Sequence, residues 1–364
     1  MRKLADYSHG KDNNFNLIRI LAALAVLITH SFALATGSPA AEPFRNTLGM
    51  TMGAIAVDVF FITSGFLVTG SLLARKSAID FIVARVLRIY PALILMVAIT
   101  VFGLGVYFTT LPTSEYLQHS KTWLYLIKTS TLVKDVAFNL PGVFDDTPYK
   151  NAVNGSLWTM PYEIRMYAIL VIGWLVLRLN RAKRPQLLKT AVVIAAALAG
   201  VLVLASFVSA LDTNRFVKLF FMFFSGAAFY ALKDRIPLHA VYFWPALLAL
   251  LGSALVGTQV FGIVYHLTLA YVLFYLAYVP AGPVRHYNRL GDYSYGVYIF
   301  AFPVQQSIIA LNPGISTLGV IVSSAAVTIV LAVLSWHLIE KRALSLKLRY
   351  VGWTQKMLAT GTPR

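Results

Sequence analysis

The chain contains no cysteine. A disulfide framework, a thiolate nucleophile and a cysteine-held metal are therefore excluded. Charge is scarce too: Asp, Glu, Lys and Arg make up 12% of 364 residues, against 58% hydrophobic. Acidic residues are the rarer sign, 14 against 31 Lys and Arg. No polar stretch is long enough for a separate soluble domain of about 100 residues. There is no internal repeat and no low-complexity segment. No small-residue cleavage signal follows the first apolar run, so that run is expected to be a retained helix. What remains, with a mean hydropathy of +0.71, is the profile of a polytopic membrane protein.

The apolar runs predict an all-α membrane helix bundle of about ten transmembrane helices. They cover roughly 16–35, 53–73, 87–108, 156–178, 187–209, 216–232, 241–258, 261–279, 292–311 and 316–338. The net charge of +17 suggests nucleic acid at first. Its placement argues against that, because the cations fall in short links between apolar runs. Arg2, Lys3, Lys11, Arg75, Lys76, Arg85, Arg88, Arg178, Arg181, Lys183, Arg184, Lys233, Arg235, Arg285 and Arg289 fall on one side. Fewer fall opposite, among them Arg45, Lys150, Arg215 and Lys218. Cations favour the cytoplasmic side, which places both termini there. An even number of spans gives the same answer. The expected organisation is one membrane domain over 1–345 and a short cytoplasmic tail over 346–364, in the bacterial inner membrane. The link 109–155 is long and expected outside. It is either a functional loop or a surface helix resting on lipid headgroups.

Within the first run, Arg19 and His30 lie eleven residues apart. At about 100° per residue both side chains share one helix face, roughly 16 Å apart along the axis. Ionisable groups inside a membrane are costly and point to function. Asp58 in the second run and Glu163 in the fourth are expected at a depth similar to His30. A carboxylate beside an imidazole orients it and raises its basicity, as a general base requires. His30, Glu163 and Asp58 are therefore the catalytic candidates, against the alternative of a buried network that fixes helix packing.

FIVARVLRIYP sets Arg85 and Arg88 on one face, at the depth of Arg19. Three guanidinium groups suit a phosphate-rich ligand. Positive-inside decoration is the competing explanation. Ser64-Gly65-Phe66 joins the donor-binding candidates, because glycine admits a ligand closely. It equally allows close helix packing. Trp158, Tyr162 and Arg165 are candidates for the acceptor, with an interfacial aromatic belt as the alternative reading of the two rings. No metal site is expected.

These blocks, in order, resemble the membrane acyltransferase 3 family of bacterial O-acyltransferases. The matching pieces are Arg19 with His30, VDVFFITSGF, FIVARVLRIYP, SLWTMPYEIRMY, LGDYSYGVYIFAFPV and SWHLIEKR. They span about residues 13 to 345. The resemblance implies transfer of an acyl group, usually acetyl from acetyl-CoA, to a saccharide or glycolipid hydroxyl across the inner membrane. It points to Arg19, His30, Arg85 and Arg88. Two departures stand out. The family often carries a His before the proline that follows the SYGxY block; here the stretch is Ile299-Phe300-Ala301-Phe302-Pro303. The chain is also expected to lack the appended hydrolase-like domain of some members.

The expected mechanism holds the donor phosphates with Arg19, Arg85 and Arg88 and presents the thioester near His30. His30 then acts as general base, or as the nucleophile of an acyl-histidine relay. The expected partners are an acyl-CoA donor, a saccharide or glycolipid acceptor and membrane lipids, with no nucleic acid. The rival class is a proton-coupled transporter or flippase using Asp58, Glu163 and His30 as a relay.

Overall fold

The first long helix, α1 (Phe15–Thr36), is pinned at its start by one polar residue. Buried Asn14 donates from its side chain to Leu276 and Pro280 carbonyls, at 3.0 and 2.9 Å. These bonds satisfy carbonyls that a helix end leaves without intrahelical partners. At its other end Gly37 takes the left-handed conformation, φ 74°, which stops the helix at no steric cost.

In the computed structural model of the chain, residues 1–346 are described apart from 9, 11, 76, 178–182, 210 and 212. Of the cations used above, Lys11, Lys76, Arg178 and Arg181 lie outside the described residues, as does the expected tail from 347 onward. The further long helices are α2 (Met52–Arg75), α3 (Ala78–Ala98), α4 (Ser120–Thr131), α5 (Met160–Val176) and α6 (Arg184–Val208). They continue with α7 (Arg215–Ala231), α8 (Ala240–Val256), α9 (Thr258–Tyr278), α10 (Ser294–Leu311) and α11 (Thr317–Ser335). Among the described residues there is no strand, only two isolated bridges.

Seven of these helices are long and apolar enough to cross a membrane: α1, α2, α3, α6, α9, α10 and α11. Three more of the ten expected spans form helices of 17 residues each, α5, α7 and α8. At 1.5 Å per residue such a helix is about 25 Å long, short of a hydrocarbon core of about 30 Å.

Close packing starts from two glycines. A Cβ on Gly65 would lie 1.8 Å from the Phe223 carbonyl oxygen, and one on Gly226 1.9 Å from that of Ile62. The backbones of α2 and α7 therefore meet directly, which small residues permit between membrane helices. Any side chain at Gly226 would force the pair apart.

Two helices carry a π-helical stretch, where the register slips by one residue. Ile99–Gly105 continues α3, and Tyr116 donates to the Val101 carbonyl there at 2.9 Å. Trp336–Glu340 continues α11 and ends with Glu340 turned inward, 1% exposed.

The long 109–155 link packs as a wall. Tyr116 and Tyr125 are fully buried within it, while Trp123, Leu124 and Ile127 of α4 face outward. It presents an apolar outer face, and its later residues line a cavity described below.

Candidate active site

Two chambers lie along α1, one at each end. The first, of about 100 Å³, is lined by Arg19 of α1, Ser64 of α2, Arg85 and Arg88 of α3, and Glu163 and Tyr167 of α5. Two of its three arginines are already engaged. Arg19 pairs with Asp292, and Arg88 pairs with Asp292 at 2.6 Å and with Glu340 at 3.0 Å. Asp292 stands just before α10 and also accepts from the Ser294 hydroxyl. Burial alone would raise its pKa, but Arg19 and Arg88 outweigh that and hold it at about 2. The carboxylate is thus charged at any physiological pH. The Tyr295 and Trp336 rings flank Arg88, each 5.6 Å from its guanidinium carbon.

Arg85 differs. It has no ion pair among the described residues, and its buried Nε lacks a hydrogen-bond partner. Its guanidinium sits 5.9 Å from both the Phe81 and Tyr167 rings. Across the chamber, Ser64 Oγ lies 2.9 Å from the Tyr167 hydroxyl and donates to Glu163 at 3.3 Å. Tyr167 also donates to Glu163.

The second chamber is a vestibule of about 850 Å³ around His30. Its walls include Thr29 of α1, Val57 of α2, Tyr149 to Ala152 of the long link, Trp158, Arg215, Tyr298 and Phe302. Val57 and Tyr298 line both chambers, so these two side chains stand between the arginines and the imidazole. The His30 ring is half-buried and packs edge-on against Phe302, centroids 5.3 Å apart. Its Nδ1 lies 3.3 Å from Ser156 Oγ. Ser156 is itself fixed. Its N–H donates to Asn154 Oδ1 at 3.2 Å, and its carbonyl accepts from the Tyr298 hydroxyl. Asn154 in turn donates to the Ile299 carbonyl at 2.9 Å. The stretch that lacks the family's histidine therefore sits beside His30 and supplies Phe302 and a carbonyl anchor.

The carboxylate expected beside His30 is a serine in the structure. Glu163 bonds to Ser64 and Tyr167 in the arginine chamber. Asp58 accepts from Tyr265 at 2.8 Å and lines a separate lobe. The expected common depth fails for Glu163, which lies with Arg19 and Arg88 at the other end of α1 from His30, because the edge of an apolar run does not fix a residue's height in the bundle. Asp58 faces another lobe. Of the Ser64-Gly65-Phe66 group, Ser64 lines the arginine chamber while Gly65 meets the α7 backbone. Phe66 is buried among Phe15, Tyr230 and Phe274. Trp158 lines the vestibule and packs edge-on against Tyr162, centroids 5.8 Å apart. Arg165 lies over the Tyr162 ring and donates to the Lys134 carbonyl.

A family model described as an acyltransferase domain matches residues 12–337. The chain belongs to the membrane acyltransferase 3 family. It is 31% identical to an O-acetyl transferase of Shigella phage Sf6, over 92% of this chain and 97% of that protein. It is 29% identical to Nodulation protein 10 of Rhizobium leguminosarum bv. viciae, over 94% of this chain and 96% of that one. No solved structure matches. The protein is thus an acyltransferase built in membrane helices.

Sequence reasoning missed several residues of this acyltransferase. Asp292 and Glu340 neutralise two of the three arginines, yet both fall in blocks read only for resemblance. The signal was present: in a chain with so few acids, a carboxylate at the edge of an apolar run needs a cation. Ser156 and Tyr298 gave no such signal, since uncharged hydroxyls are ordinary in membrane helices. Among the described residues no group of three His, Asp or Glu is placed to hold a metal.

Proposed function

We propose that this acyltransferase moves an acetyl group from cytoplasmic acetyl-CoA to a saccharide hydroxyl on the far side of the bacterial inner membrane. The observation that carries this reading is the pair of chambers sharing Val57 and Tyr298, with arginines in one and His30 in the other. The phage O-acetyl transferase supports acetyl as the group. The accumulation of cations on the arginine side supports a cytoplasmic position for that end and for both termini. Ten spans follow if α5, α7 and α8 cross with the seven longer helices. Residues 1–345 then form one membrane domain, and 346–364 a short cytoplasmic tail.

The donor enters the arginine chamber by its phosphates. Arg85 supplies unused N–H donors at once, and Arg19 and Arg88 add those not taken by Asp292 and Glu340. Ser64 and Glu163 lie where polar groups of the pantetheine arm pass. The rise of roughly 16 Å from Arg19 to His30 is a distance an extended arm spans. At the far end, His30 Nδ1–H donates to Ser156 Oγ, which leaves a bare lone pair on Nε2. Nε2 takes the proton of the acceptor hydroxyl. The new O–C bond forms on the thioester carbonyl, the C–S bond breaks, and the leaving thiolate takes up a proton. A neutral serine partner orients the ring without adding the charge stabilisation of a carboxylate.

The test uses purified protein with labelled acetyl-CoA and an envelope-glycan extract. His30→Ala is expected to bind CoA as the parent does and to lose transfer by about a hundredfold or more, the range of a general base. Undiminished transfer would end the proposal. Proton-driven flux in liposomes without thioester cleavage would favour a transporter instead.

A further inference from the structure

A second lobe of about 610 Å³ opens beside the His30 vestibule. The two share Gly49, Met50, Ala54, Val57, Trp158 and Arg215 as walls. Each is the size of a ligand pocket in its own right. The second lobe is unlike a passive lipid groove, because Asp58, Arg215, Lys218, Gln259 and His266 line it.

Its cations are placed at a cost. Arg215 and Lys218 both lie in the first turn of α7, and no acidic residue accompanies them there. A helix N-terminus carries partial positive charge, so cations there raise a potential that is already positive. Neither residue has a hydrogen bond from its side chain or an ion pair among the described residues. The other arginines on this side are engaged: Arg45 with Glu42, and Arg165 with a carbonyl. Arg215 instead lies over the Trp158 ring, 5.4 Å from its centroid. The nearby Asp58 carboxylate interacts with Lys218 but is held by Tyr265. His266 Nδ1 is engaged with the Gly262 carbonyl at 2.6 Å. One acid against two cations leaves the lobe positive.

We infer that Arg215 and Lys218 form a subsite for the anionic group, carboxylate or phosphate, of an acidic saccharide that lies across Trp158 with its accepting hydroxyl at His30. This deepens the proposed function and rests on it for the identity of the acceptor. Arg215 is common to both lobes, so a saccharide of more than one ring fits around the Trp158 wall. Guanidinium binds either anion through two N–H donors, and Lys218 adds a point charge. The subsite selects by charge, while His30 acts on whichever hydroxyl that anchoring brings forward.

The test measures binding to full-length protein in phosphatidylcholine nanodiscs. The probes are tetragalacturonate against neutral cellotetraose, and glucose 1-phosphate against glucose. At least one acidic probe is expected to bind about tenfold more tightly than its neutral partner. Which acidic probe gains distinguishes a carboxylate from a phosphate acceptor. Arg215→Gln with Lys218→Gln is expected to erase the preference while CoA binding, at the opposite end, stays unchanged. Lys218→Gln alone is expected to erase part of it. Equal binding of acidic and neutral probes overturns the inference, as does a preference that survives in the double variant. Loss of the preference when phosphatidylglycerol replaces phosphatidylcholine also overturns it, since lipid headgroups then own the site. A wild-type protein that binds acidic saccharide selectively but never transfers acetyl leaves the subsite standing and sinks the reaction.

Discussion

The two chambers along α1 treat most of their charges differently. At the arginine end, Arg19 and Arg88 are locked to Asp292 and Glu340 inside the bundle. At the histidine end, the ring has only a neutral serine, and Arg215 and Lys218 stand without carboxylate contacts in wide lobes. A buried charge is costly unless paired, and a charge in an open lobe is less so. Arg85, with an unpartnered buried Nε, is the exception at the arginine end. The paired end spends its electrostatics on holding α1, α3, α10 and the end of α11 together. In the proposed function the open end keeps its charge for a ligand. On that proposal a donor shared by many enzymes takes the rigid, narrow site, and an acceptor particular to one envelope takes the roomy one.

The largest effect that tests this contrast lies at Arg88. Arg88→Gln leaves Asp292 and Glu340 short of a cation inside the bundle, an error that costs about 3–5 kcal/mol where a buried pair is broken. A marked fall in thermal unfolding temperature is expected, with part of it restored by adding Glu340→Gln. Unchanged stability would mean that the paired end is not structural, and the contrast would fail.

A smaller effect is expected at Ser156. Ser156→Ala removes the Nδ1 partner but no charge, so fold and CoA binding should persist. The ring is then free to take either tautomer, and the rate constant for transfer is expected to fall by about tenfold, below the full general-base contribution. A shifted pH profile with unchanged KM for donor is the signature of lost orientation. An unaltered profile would leave the serine a packing residue.

Much of this was legible in the chain itself. The helical architecture follows from apolar runs that only a membrane accommodates, and α1 carries Arg19 and His30 to separate chambers along one face as its period requires. The partners were not legible. Glu163 stands at the arginine end and Asp58 on a face turned to another lobe, and helix height and rotation both depend on packing across the bundle. The α2–α7 contact at Gly65 and Gly226 sets one such rotation. Glu340 meets Arg88 only after a π-helical slip at Trp336–Glu340, which no simple 3.6-residue period anticipates. Gly65 illustrates the same limit, since a small residue reads alike whether a ligand or a helix approaches it.

The proposed transfer needs a connection between the two chambers, past the Val57 and Tyr298 side chains that line both. The direct test is to plug it with Val57→Trp and to measure CoA binding and acetyl transfer on the same preparation, with Val57→Ala as the open control. The plugged protein is expected to bind CoA normally and to transfer nothing, while the open control transfers as before. Full transfer through the plugged protein would contradict a route from the arginines to the imidazole.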